Sequence, residues 1–252
     1  MVTSLLGLGT VKFGRSTGLR YPRPFALPDD AAVARLLDRA RELGVNLLDT
    51  APAYGEAETR LGRLLRGRRE EFLLVTKCGE RFDGRRSHFD FSAAHTTASV
   101  HASLRRLRTD RLDCVLLHSD GDDAALLEDG AALEALARLK RSGELRSYGI
   151  STKTVAGSLA ALGRVDVLMI TLSPRRAEDV DLARRAGAQG CGVLVKKALD
   201  SGHVGDPAAA LRSVATCTGV GSIVVGTLDP AHLAANAAAL AGTPADPEPK
   251  RR

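Results

Sequence analysis

Tryptophan is absent from the 252-residue chain, and aromatic residues of all kinds make up only 4% of it. Platforms on which single-stranded nucleic acid could stack are therefore scarce. The net charge of +6 comes mainly from arginines interleaved with acids, as in ASLRRLRTDRLD over residues 102–113. Such patterning reads as solvated helix faces, so no nucleic-acid partner is expected. Cysteine is sparse too: Cys78, Cys114, Cys191 and Cys217 stand far apart, with no CxxC and no Cys/His pair at metal spacing. That argues against a zinc site and a disulfide framework, and predicts buried, reduced thiols with no metal. No apolar run reaches the 18 residues of a membrane helix. The opening MVTSLLGLGT lacks a basic segment followed by a long apolar core. No leader and no membrane partner are expected, and the expected location is cytoplasmic.

What the chain does have is alternation. Short apolar runs recur at 5–10, 45–50, 72–77, 112–118, 146–151, 165–171, 192–197 and 221–226. Between them lie stretches of helical period at 29–43, 57–66, 92–108, 130–142, 153–162, 176–187, 207–216 and 229–241. The runs are too continuously apolar for strands with one wet face, so both faces must be covered, as in a parallel sheet. Eight strand–helix units in one α/β domain of this length predict a (β/α)8 TIM barrel over residues 1–241. A doubly wound open sheet is the alternative architecture. The Pro-rich, charged stretch 242–252 is expected to be a disordered tail.

In a barrel, sites form where strands end and βα loops begin. Asp49 ends the second run, Tyr54 sits in the loop after it, Lys77 ends the third run and His118 the fourth. Singly, each has a bland explanation: a capped turn, a snorkelling lysine, a histidine satisfying the backbone. Four such residues on adjacent strands are hard to explain that way. An ammonium close to a phenol favours the phenolate and lowers its pKa, and a carboxylate beside a buried lysine keeps it charged. Asp49, Lys77 and Tyr54 thus read as a tuned general acid, with His118 orienting or polarising the group that receives the proton. No strong nucleophile and no metal cluster accompanies them, so carbonyl reduction is the best-matching reaction.

These residues and their surroundings resemble the aldo-keto reductase family. The similarity runs through GLGT, NLLDTAPAYGEAETRLGRLL, LLVTKCGE, SLRRLRTDRLDCVLLH, YGIST, GVLVKKAL and SIVVGTLDPAHLAAN. It implies a barrel that binds NADP(H) without a Rossmann fold and passes hydride from the nicotinamide to an aldehyde or ketone. By motif position Asp49, Tyr54, Lys77 and His118 match the family's tetrad, with Tyr54 as proton donor. The resemblance also implies cofactor contacts from Thr10, Val11, Asp49, Ser151, Thr152, Met169, Lys196, Lys197, Leu199, Gly226, Thr227, His232 and Asn236.

Several of these positions depart from the family pattern. Thr152 replaces an asparagine, Met169 a glutamine, and Lys196 a stacking aromatic. Gly226 and His232 stand where many members place Lys and Arg on the 2′-phosphate. NADP(H) is expected in preference to NAD(H); Lys196 and Lys197 either supply compensating positive charge or form a basic strand end with no ligand role. Ser119 replaces a common tryptophan, so the pocket is expected to be open and poor in aromatics. Its walls are expected from the irregular stretches 14–28 and 80–91. There Arg20, Tyr21, Arg85, Arg86 and His88 meet either a polar substrate or only solvent. The expected partner is a small-molecule carbonyl compound, with monomer and dimer both open. Two other functions remain: a Schiff-base lyase or aldolase using Lys77 or Lys196, and a cofactor-binding sensor with slow turnover.

Overall fold

The computed structural model describes residues 2–172 and 179–243. Eight strands close into a parallel barrel: β1 (Leu6–Gly9), β2 (Leu47–Asp49), β3 (Leu73–Cys78), β6 (Leu112–His118), β7 (Leu145–Ser151), β8 (Val167–Thr171), β9 (Gly192–Lys196) and β10 (Ser222–Val225). They follow chain order around the ring, and β10 pairs back onto β1. The protein is a single-domain (β/α)8 barrel, and the open-sheet alternative is excluded by that closure.

Around the ring run α1 (Asp30–Glu42), α2 (Ala57–Leu64), α3 (Ala93–Leu107), α5 (Ala131–Arg141), α6 (Val155–Ala161), α7 (Val180–Ala188), α8 (Pro207–Ala215) and α9 (Pro230–Leu240). Their starts follow capping chemistry. Asp29, Ser92, Thr154, Asp206 and Asp229 each accept a backbone N–H of the first turn, and Pro207 and Pro230 fill first helical positions.

Successive strand residues point to opposite faces, and this splits the core in two. One face, with Leu8, Leu48, Leu74, Val115, Leu117, Ile150, Leu168, Val195 and Ile223, is buried beneath the helices. The other fills the lumen with Leu47, Val75, Cys114, Leu116, Met169 and Leu194. Register locks the layers together: Leu47 pairs with Leu73, Val75 with Cys114, and Leu116 with Gly149.

Two elements differ from the sequence reading. Residues 80–91 are not wholly irregular: β4 (Glu80–Phe82) and β5 (Ser87–Phe89) form an antiparallel hairpin, with Gly84 at φ +96°. The Asp83 N–H donates to the Arg86 carbonyl at 3.2 Å, so the turn closes around Gly84-Arg85, and the glycine supplies the positive φ of the first central position. A short helix, α4 (Asp123–Asp129), also forms in a stretch without assigned structure. The start of the expected helix 176–187 and the expected tail over 244–252 lie outside the described residues.

Candidate active site

The barrel's period of two explains how distant residues converge. Asp49 lies two beyond lumen-facing Leu47, Lys77 two beyond Val75, His118 two beyond Leu116 and Lys196 two beyond Leu194. Ser151 lies two beyond Gly149, the register partner of Leu116. Each continues an inward stripe by one step, into the uppermost layer of the lumen at the strands' C-terminal ends.

Lys77 and Asp49 are both buried. Lys77 Nζ donates to Asp49 Oδ1 at 2.6 Å and to the Thr50 carbonyl at 2.8 Å. Burial pulls the ammonium down, but Asp49 and Tyr54 outweigh it and hold Lys77 above the ordinary lysine range. Thr10 braces the other side of β2, its backbone N–H and hydroxyl both donating to the Asp49 carbonyl at 2.9 Å. Its hydroxyl is therefore committed to the scaffold, and Val11 opens the short turn that follows.

Tyr54 ends a one-turn helix, Pro52–Tyr54. Close backbone packing fixes that turn: Gly55 has φ +59°, and a Cβ on it would lie 2.2 Å from the Gly14 carbonyl oxygen. The Lys77 ammonium stands 4.8 Å from the centre of the Tyr54 ring. It pulls the phenol down, as the sequence reading expects, but the net shift is upward. Burial pushes Tyr54 up to about 12, with Asp49 and Glu80 adding to the rise, and Lys77 only partly opposes it. The side chain is a protonated phenol at neutral pH, available as a donor.

His118 meets Tyr54 edge to face, with ring centres 6.4 Å apart. Its Nδ1 lies 2.6 Å from Glu80 Oε2, an ionic contact that is bent away from ideal hydrogen-bond alignment. Burial pulls the imidazole below its usual range, with Lys77 and Lys196 adding to the effect and Glu80 opposing it. Burial alone would raise the Glu80 carboxyl, but His118, Ser87 and Arg15 bring it down to about 2. Glu80 escaped the sequence reading, because no pattern in its own hairpin points to a histidine on β6. Arg15 stacks 3.4 Å from the Phe82 ring centre and donates to the Ala53 carbonyl, tying hairpin, first loop and Tyr54 turn together.

The remaining predicted positions divide. Lys196 Nζ donates to Ser151 Oγ and to the Thr152 carbonyl, each at 2.7 Å. Burial, then the charges of Lys197 and Lys77, lower Lys196 to about 7. The Thr152 hydroxyl is turned away and bonds Ser158 Oγ at 2.6 Å. Met169, in register with Ser151, packs inside the lumen, and Leu199 packs partly buried against the outer core. Neither offers a strong polar contact. Lys197 is exposed on a left-handed backbone, φ +58°.

Gly226 follows β10, and a Cβ there would lie 3.2 Å from the Tyr21 hydroxyl. Thr227 Oγ1 accepts from the Asp229 N–H just before α9; Asn236 is buried in that helix, and His232 is exposed, 3.7 Å from Asp229. This Gly-Thr turn leading into a helix N-terminus is favourable ground for an anion, and Lys196 and Lys197 add positive charge nearby, so the donor set fits a dinucleotide phosphate. Of the proposed wall, Tyr21 reaches Gly226, and the Arg20 carbonyl lies 3.1 Å from a His203 ring nitrogen. At the hairpin turn Asp83 Oδ1 accepts the backbone N–H groups of Arg85 and Arg86, its Oδ2 lies 2.6 Å from His88 Nε2, and both arginines are exposed.

The site is divided around the ring. Asp49, Tyr54, Lys77 and His118 come from β2 to β6; Ser151, Lys196 and Thr227 come from β7 to β10 and the turn after it. Among the described residues no cluster of His, Cys, Asp or Glu could hold a metal ion, and no helix is long and apolar enough to cross a membrane. The four cysteines are free, and burial raises Cys78 and Cys114 to about 12 and Cys191 to about 11.

Comparison with known proteins places these features in context. The profile of the Aldo/keto reductase family matches residues 5–204. A Pseudomonas aeruginosa crystal structure described as an aldo-keto reductase is 48% identical, with a TM-score of 0.86 over 94% of this chain and 89% of that one. The holo form of aldo-keto reductase AKR11C1 from Bacillus halodurans is 26% identical, with a TM-score of 0.78 over 96% of this chain and 88% of that one. Among curated relatives, L-galactose dehydrogenase of Arabidopsis thaliana is 34% identical across 59% of this chain and 44% of its own length. The uncharacterized oxidoreductase YqkF of Bacillus subtilis is 39% identical across 46% of this chain and 39% of its own. The chain thus aligns with about two fifths of the length of these curated relatives.

Proposed function

The chain belongs to the aldo/keto reductase family, and on that premise we propose that it reduces a small aldehyde or ketone to an alcohol with NADP(H), in preference to NAD(H), Tyr54 donating the proton. The observation that carries the reading is the buried Asp49–Lys77 pair beneath a protonated Tyr54, with His118 edge-on to the phenol. Bound nicotinamide supplies hydride to the carbonyl carbon. The chain's own residues manage the proton. As negative charge develops on the carbonyl oxygen, the Tyr54 hydroxyl gives up its proton there, and the adjacent Lys77 ammonium offsets the charge left on the phenol. Asp49 keeps that ammonium in place, and Thr10 keeps Asp49 in place. Ser151, Lys196, Lys197, Gly226 and Thr227 would hold the dinucleotide. The lysines are the argument for the 2′-phosphorylated form.

The test is fluorescence titration with NADPH and NADH, followed by turnover against a panel of carbonyl compounds. Tyr54→Phe should lower kcat by ~10²–10⁴-fold and leave cofactor affinity nearly unchanged. A large loss of NADPH affinity instead would make Tyr54 a structural wall.

A second reading has its own observation. The Schiff-base alternative loses Lys77, which is paired and held charged, but Lys196 carries an amine lowered to about 7 at the same mouth. Borohydride trapping with pyruvate or dihydroxyacetone phosphate separates the two. A covalent adduct on Lys196, without NADPH consumption, would favour the lyase.

A further inference from the structure

Two lysines crown the lumen, and they are held differently. Lys77 Nζ is paired with the Asp49 carboxylate at 2.6 Å. Lys196, partly buried, donates only to neutral oxygens: Ser151 Oγ and the Thr152 carbonyl, each at 2.7 Å. Among the described residues no carboxylate stands within ion-pair distance of it. An ammonium has three N–H groups, so one remains uncommitted. Losing a proton therefore costs Lys196 neither bond. The neutral amine keeps both donors in place and turns a lone pair where the third N–H stood.

The surrounding charges are lopsided. Lys197, Lys77 and Lys153 oppose the ammonium, and Asp123 acts in its favour. Asp123 is occupied elsewhere, its carboxylate accepting the Lys153 and Thr154 N–H groups and the Thr154 hydroxyl. The charge of Lys196 also reaches across the lumen, for it weighs on His118, whose ring meets Tyr54 edge to face. A carbonyl that takes the Tyr54 proton, and the ring that gives it hydride, must both fit within this mouth. The nicotinamide ring is neutral while it holds the hydride and positively charged once the hydride has left.

We infer that Lys196 discriminates between the two redox forms of the cofactor: its ammonium repels the cationic oxidised nicotinamide and tolerates the neutral reduced one, and oxidised cofactor binds with release of the Lys196 proton. This rests on the reductase reading and adds a regulation of the same site. In water-poor surroundings, two like charges a few ångströms apart alter binding by roughly 10–100-fold. The site thus takes up the hydride-loaded form and sheds the spent one, most sharply at a pH where Lys196 is charged.

The test is calorimetric titration of the wild-type protein with NADPH and with NADP⁺ from pH 6 to 9.5, without substrate. Both forms carry the same phosphates, so pH effects arising from those cancel in the ratio of Kd for NADP⁺ to Kd for NADPH. That ratio should fall by roughly 10–100-fold as pH rises and Lys196 loses its proton. Near pH 7, buffers of differing ionisation enthalpy should show more protons released by NADP⁺ than by NADPH.

Two variants bracket the wild type. Lys196→Met should hold the low, alkaline ratio at every pH. Lys196→Arg, which stays charged throughout, should hold the high, acid one. A lysine that only braced the fold would move both Kd values together and leave the ratio unchanged. Equal ratios in wild type and Lys196→Met, or a flat wild-type ratio, overturns the inference, and the wild-type series depends on no variant folding. If neither form binds at any pH, the reductase reading falls and the inference with it; if both bind with a flat ratio, only the inference falls.

Discussion

Consider replacing the two buried ions at the barrel mouth one at a time and then together, as Asp49→Asn, Lys77→Met and the double variant. At 2.6 Å and an effective dielectric of 20, their gross attraction is about 6 kcal/mol. Against this stands the cost of taking two ions out of water, several kcal/mol each. Gross attraction and desolvation nearly cancel, so the pair as a whole adds little to stability. Removing only one partner is different. Lys77→Met leaves a buried carboxylate alone and should cost ~3–5 kcal/mol. Asp49→Asn should cost somewhat less at high pH, because the stranded lysine can escape by releasing its proton.

The double variant, with no ion left to strand, should lie within about 2 kcal/mol of the wild type, giving a coupling of about 3 kcal/mol or more. Urea unfolding followed by circular dichroism measures all four proteins, provided their m-values agree. Turnover should be lost in all three variants, so the double variant is a stable barrel without chemistry. A double variant as unstable as the sum of the two singles would refute the reasoning, since it would mean the two groups are not paired in solution.

Further outcomes are expected. Gly55→Ala drives a Cβ into the Gly14 carbonyl oxygen and must displace the turn that carries Tyr54; kcat should fall by about 10²-fold while NADPH binding changes much less, as fluorescence titration can check. Lys196 falls to about 7 in the folded chain from an ordinary 10.5, so between those values the unfolded chain binds more protons and stability rises with pH. Lys196→Met should abolish that part of the rise and be the more stable protein at pH 7, read from paired denaturation series at pH 7 and 9.5. Ellman's reagent should titrate Cys217 in the native protein and all four thiols in denaturant, since Cys78, Cys114 and Cys191 are buried and their thiols raised; rapid native labelling of a second thiol would contradict this.

Much of the barrel was readable because parallel strands buried on both faces are written as unbroken apolar runs. The fourth run, 112–118, coincides with β6 residue for residue. Asp49, Lys77 and His118 were readable for a related reason: each ends such a run in step with the inward stripe, where a polar residue has little structural excuse. What stayed hidden depends on distances between elements. Glu80 is one charged residue among many in its hairpin, and nothing in GERFDGRRSH says that it meets a histidine from β6. The direction of the Tyr54 shift is a difference between burial, one cation and two carboxylates, and residue order cannot weigh these. Thr152 holds a position associated with cofactor contact, yet its hydroxyl serves Ser158.

The division of the site around the ring also draws two boundaries through the barrel itself. The arc carrying the acid and the arc carrying the dinucleotide wall meet at two seams. At one, β6 and β7 are in register over six residue pairs; at the other, β1 and β10 over only three, from Leu6–Ile223 to Leu8–Val225. The slighter seam runs up to Gly9 and Gly226, where there are no side chains to interlock. Asp49, Lys77 and Tyr54 therefore lie wholly on one side of both seams, and the proposed dinucleotide contacts Ser151, Lys196 and Thr227 wholly on the other.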